Sequence, residues 1–127
     1  MSTKFKLAMA CAALGAIVPL QASAQTTTYL CNVIINYVGV NPDGSVLVSA
    51  SNGISFDTIC SVSASFNNNV YGITTDTCKA MLATLLRAQA TGASVQLGFQ
   101  NNDYCANPPG GFEPLNWLYF GPIILSQ

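Results

Sequence analysis

Histidine is absent from the sequence, and charge is nearly so: four Lys and Arg and five Asp and Glu make up 7% of 127 residues. Without imidazole there is no Ser–His or Cys–His nucleophile pair and no histidine metal ligand. So few cations exclude the basic footprint that nucleic-acid binding requires. A Gly-rich phosphate loop, internal repeats and low-complexity tracts are missing as well. Long apolar runs are also lacking. The longest, Leu7–Val18, falls short of the roughly 20 residues that a bilayer span needs. Half of the residues are nevertheless hydrophobic, so the chain is not of disordered composition.

What is present begins with an export signal. Lys4 and Lys6 precede the apolar run, and Ala22-Ser23-Ala24 is a small-residue cleavage site. Residues 1–24 are read as a signal peptide and residues 25–127 as one mature domain, periplasmic or extracellular. The mature part keeps Lys79 and Arg87 against Asp43, Asp57, Asp76, Asp103 and Glu113, and is therefore acidic. It also keeps Cys31, Cys60, Cys78 and Cys105. An even number of cysteines in an exported chain, with no CxxC pair to suggest zinc, predicts two disulfides.

Residues 29–40 are rich in β-branched and aromatic types, with Cys31, Val33, Ile35 and Tyr37 expected on one face. Asn41-Pro42-Asp43-Gly44 is a turn sequence. Ser45–Ser51 reads as a second strand, and Asn52-Gly53 as a tight hairpin turn. From Ile54 to Phe66, apolar residues alternate with Ser and Asp, broken only at Thr58-Ile59. That period of two predicts one long strand, with Phe56 inward and Asp57 on the wet face. Thr74–Ala90 carries the helical stripe Cys78, Met81, Leu82 and Leu85, with Thr74 or Thr75 as cap and Gly92 as stop. Ser94–Gln100 alternates again. Residues 101–116 form a polar, Pro/Gly-rich loop, and 117–125 is a last strand in which Pro122 points to an edge or a bulge.

The order β-β-β-α-β-β makes the protein mainly β with one α-helix, and it is the element order of a five-stranded OB-like barrel. In such a barrel the first and fourth strands pair antiparallel. This favours Cys31–Cys105 and leaves Cys60–Cys78 to tie the third strand to the helix.

The five acids are dispersed over turns, caps and loops, so no catalytic residue, cofactor or metal site is expected. Binding is the function left. Aromatics gather late, at Phe99, Tyr104, Phe112, Trp117, Tyr119 and Phe120, beside loop amides. Aromatic faces next to amides suit sugars, which makes Asn101, Asn102, Asp103, Tyr104 and Trp117 the candidate ligand-binding residues.

Val70-Tyr71-Gly72, Thr77–Ala83 and Ala88–Leu97 resemble the B subunits of the subtilase cytotoxin and pertussis-like toxin family. In that family an aromatic-Gly pair precedes the helix, and Thr-Gly leads into a strand. The resemblance implies a secreted, disulfide-bearing OB barrel that assembles as a pentameric homo-oligomer, binds cell-surface glycans and partners a toxin catalytic chain. The family's glycan-contacting serine and tyrosine would fall near Cys31 and Phe99, so no site residue is transferred. The competing expectation is a non-catalytic structural or interaction protein of the cell envelope.

Overall fold

A computed structural model describes Gly15 and residues 25–126. The expected signal peptide, Gly15 apart, lies outside the described residues. The elements are β1 (Thr28–Val40), β2 (Ser45–Ala50), β3 (Asp57–Ser61), β4 (Phe66–Asn67), β5 (Gly72–Ile73), α1 (Thr75–Thr91), β6 (Ser94–Gln100) and β7 (Leu118–Ile124). Five of the strands form one antiparallel sheet in the order β3-β2-β1-β6-β7, and β4 and β5 form a separate short ladder. The described residues are thus mainly β, with a single helix among them.

The helix starts and stops where its local chemistry directs. Thr74 is extended, and its hydroxyl accepts the Thr77 N–H at 3.2 Å. Gly92 ends the helix with φ +68°, a conformation that glycine adopts without a steric penalty. Cys78, Met81, Leu85 and Ala88 are its buried stripe. They pack with Val33, Ile59, Val95, Leu97 and Phe99 in one core.

Both expected disulfides are formed, Cys31–Cys105 and Cys60–Cys78, with Cα separations of 5.3 and 5.6 Å. The first pins the 101–116 loop to β1. The second crosses the core from β3 to α1.

Four expectations need correction. The sheet is not closed into a barrel. β3 and β7 are its two edges, and an isolated parallel bridge between Thr58 and Pro114 lies beside β3 instead of a β7 ladder. The long third strand is also broken. Of the expected Ile54–Phe66 strand only Asp57–Ser61 forms β3, and Phe66 belongs to the separate ladder, paired with Ile73. At the end of β3 the Ser61 hydroxyl accepts the N–H groups of Ser63 and Ala64, and the Ser63 hydroxyl donates to the Asp43 carbonyl at 2.6 Å. Local serine bonds of this kind compete with a strand ladder.

The remaining two corrections concern side-chain direction. Pairing of β1 with β2 shifts register between Ile35 and Tyr37. The extra residue turns Tyr37 outward and puts Val38 in the core. Phe56 has φ +55°, which reverses the alternation expected there. Phe56 faces solvent, and Asp57 is buried in place of lying on the wet face.

Candidate functional site

The five candidate residues of the late loop fall at one end of the sheet. The Gln100 N–H donates to the Trp117 carbonyl at 2.8 Å, which sets Trp117 beside the start of the loop at Asn101. Asn101 is exposed with φ +65°, and its N–H donates to the Thr27 carbonyl. Asn102 is half-buried, and its N–H donates to the Gln100 carbonyl. The Asp103 carboxylate accepts the Ala106 N–H at 3.1 Å and so caps a turn. Tyr104 is half-buried, with its ring edge-on to the buried Phe99 at 5.5 Å. Asn52 Nδ2 donates to the Tyr104 and Cys105 carbonyls, which ties this turn to the β2–β3 connection. Asn101, Asn102 and Trp117 are thus brought together, whereas Tyr104 packs against the core and Asp103 serves its own turn.

A different aromatic group stands out of the surface. Tyr37, Phe56 and Phe112 are 41%, 37% and 73% exposed. Tyr37 meets Phe56 edge-on at 5.0 Å, and Phe56 stacks on Phe112 at 5.6 Å with their planes 11° apart. Three large side chains from three segments therefore form one open platform. A Cβ on Gly39 would collide with the Tyr37 ring, so this glycine leaves the room that Tyr37 occupies.

Phe56 and Phe112 both hold positive φ, +55° and +64°. For bulky residues this is strained backbone, costing on the order of 1–3 kcal/mol each. Neighbouring bonds hold it. The Phe56 N–H donates to the Ser49 hydroxyl at 2.9 Å, and the Phe112 N–H donates to the Ser55 carbonyl at 3.2 Å.

Beneath the platform lies Asp57, 0% exposed. Its Oδ1 accepts the Glu113 N–H at 3.0 Å and its Oδ2 accepts the Ser55 N–H at 3.3 Å. Burial pushes its carboxyl above the ordinary carboxylate value, against the two N–H donors, and the negative charge of Glu113 adds to the rise.

Sequence reasoning reached Phe112 as one of the late aromatics but placed Tyr37 and Phe56 inward. The broken period at Thr58-Ile59 was the one local sign that the strand does not run straight through Phe56.

A concavity of about 310 Å³ lies elsewhere, between Tyr71–Ile73, the start of α1 (Thr77, Met81) and β7 (Leu118–Gly121). The Tyr71-Gly72 pair singled out in the sequence lines it. Among the described residues, no group of three or more His, Cys, Asp or Glu is placed to share a metal ion. No helix among them is long and apolar enough to cross a membrane.

No family model matches the chain, and no curated protein or solved structure does either.

Proposed function

We propose that this is an exported, non-catalytic carbohydrate-binding protein, and that Tyr37, Phe56 and Phe112 are its sugar-binding surface. One observation carries the reading: three exposed aromatic rings are held in a row, with Phe56 in contact with both Tyr37 and Phe112, and two of the three stand on left-handed backbone. Scattered exposed apolar residues are ordinary, but a contiguous patch marks an interaction surface. A pyranose ring presents a face of C–H groups that lies flat on an aromatic ring and hydroxyls that seek a polar rim. The platform offers the Tyr37 hydroxyl, Ser49 and Ser55 at its margin. It needs no charge, and the sequence has little. Two disulfides fit an exported protein.

The finer reading of the fold as OB-like is part of the proposal. Its support is the antiparallel series β3-β2-β1-β6-β7, with the helix between β3 and β6 and a parallel bridge from the segment before β7 to β3. On this reading the chain acts as the binding subunit of an exported toxin, assembled with copies of itself and with a catalytic chain.

A glycan array with the oxidised wild-type protein tests the function. Binding to a defined set of sugars, abolished in a Phe56→Ser/Phe112→Ser double variant, is the expected result. Absence of binding to every sugar ends the proposal.

The envelope-assembly reading has its own observation. Leu30 and Ile34 of β1 are exposed. Ile123 of β7, also exposed, pairs with Gln96, whose side chain reaches Asn32 on that same outer face. This apolar sheet face suits contact with another copy. Light scattering tests it: a monomer at micromolar concentration removes the assembly.

A further inference from the structure

We propose that Asp57 is the positioning residue of the aromatic platform, a buried carboxylate that clamps Phe56 and Phe112 from opposite sides and makes the ligand surface rigid. The proposal rests on the carbohydrate reading for the identity of the ligand, but not for the clamp.

The geometry is specific. Ser55 immediately precedes Phe56, and its N–H is bound by Oδ2; Glu113 immediately follows Phe112, and its N–H is bound by Oδ1. A single carboxylate therefore reaches both strained phenylalanines through their neighbours. No other side chain among the described residues makes that connection. Glu113 is held again by the Thr58 N–H, which donates to its carbonyl at 2.9 Å, and Leu115 returns an N–H to the Thr58 carbonyl at 2.8 Å. These bonds run the 113–115 segment alongside β3. With Asp57 they leave Phe112 one register in which to stack.

A neutral side chain of similar size would not do the same. Both acceptor sites of Asp57 face N–H donors, and an amide has one oxygen for the two of them. An ionised carboxylate serves both, with charge-assisted bonds, and a buried N–H without a partner is costly.

The charged and titratable surroundings are sparse. β2, whose Val48 lies opposite Asp57, carries no ionisable side chain. The 51–56 connection carries none. The 111–116 segment contributes Glu113, and β1 contributes the Tyr37 phenol, on the far side of Phe56. The state of the clamp is thus governed by Asp57 with Glu113 as its one acidic neighbour.

Two-dimensional NMR of the oxidised wild-type protein, with the variants Asp57→Asn and Asp57→Ala, tests this. In the wild type the Ser55 and Glu113 amide signals should shift together on acid titration, with one midpoint, because both report the same carboxyl. Ring-to-ring cross-peaks between Phe56 and Phe112 should be present in the wild type, weakened in Asp57→Asn and lost in Asp57→Ala. The core signals of Leu85 and Val95 should stay in place. Sugar affinity on the array should fall about tenfold in Asp57→Ala, the effect of losing hydrogen bonds to a charged group, and less in Asp57→Asn.

Independent titration of the two amides, or ring cross-peaks that persist in Asp57→Ala, overturns the clamp. If neither variant folds, the wild-type titration alone decides it. A wild type whose amides titrate together but which binds no sugar rejects the carbohydrate reading and keeps the clamp.

Discussion

The side chain of Asn68 donates to the Leu118 carbonyl at 2.6 Å, across fifty residues of sequence and with no exposure to solvent. The same side chain accepts the N–H groups of Val70 and Tyr71 through Oδ1, at 3.0 and 2.9 Å. The Asn68 carbonyl accepts the Trp117 N–H at 2.6 Å. One residue thus stitches the turn before α1 to the start of β7 and sets Tyr71 at the mouth of the concavity between α1 and β7.

Replacing Asn68 should therefore cost more than a single hydrogen bond. Asn68→Ala leaves the Leu118 carbonyl and two amides without their partner, at about 1–3 kcal/mol for each group that stays buried. Urea unfolding should show a loss of about 2 kcal/mol or more. Asn68→Asp keeps the acceptor but loses the donor and buries a charge, so it should be no better than alanine. A loss below about 0.5 kcal/mol, the range of ordinary surface changes, would show that the stitch is dispensable.

Phe112→Gly should separate stability from binding. Phe112 is mostly exposed and sits at φ +64°, so glycine relieves strained backbone while giving up little buried area. Thermal unfolding should stay within about 1 kcal/mol of wild type or improve. Sugar affinity should drop roughly tenfold with the loss of a stacking face. Unchanged affinity would remove Phe112 from the site.

The two disulfides should differ in worth. Cys31–Cys105 closes a sequence separation of 74 and Cys60–Cys78 one of 18. In the chain-entropy model the longer loop contributes about 1 kcal/mol more. Paired Cys→Ala variants compared by urea unfolding check the order. If loss of Cys60–Cys78 proves the larger effect, the packing of these two fully buried residues in the core outweighs loop entropy.

Asp57 should make stability depend on pH in an unusual direction. Its folded value lies above the ordinary carboxylate value because it is buried. Between those two values the folded protein binds more protons than the unfolded chain, so stability falls as pH rises through that window. The contribution is fully present below the ordinary value and is gone above the folded one. Asp43 acts oppositely: the Ser45 N–H at 2.9 Å holds its carboxyl below the usual value, so its contribution is lost in acid. Unfolding midpoints of wild type minus Asp57→Asn across pH 3–7 isolate the first effect. A difference that grows in favour of the wild type toward neutral pH contradicts this sign.

Much of the scaffold follows from short-range pattern. The Asn41–Gly44 turn, the Thr74 cap, the helix through its buried Cys78, Met81 and Leu85, and the stop at Gly92 each depend on residues within a few positions of one another. The half-exposed β7 with its Pro122 was legible as an edge for the same reason. Pairing of the cysteines needed one step more, an antiparallel match of β1 with β6, and that match is present from Thr28–Gln100 to Ile34–Ser94.

The platform depends on long-range bonds that no local pattern reveals. Alternation placed Tyr37 and Phe56 inward and Asp57 outward, and all three directions are reversed. For Tyr37 the cause is a bulge that exists only when β1 lies against β2. For Phe56 and Asp57 the strained turn persists because the buried carboxylate finds a donor at Glu113, 56 residues away. Composition was sufficient to limit the chemistry, since it holds no imidazole and few charges. Where three rings meet was settled by folding, because a buried charge must be paired and its partner comes from a distant part of the chain.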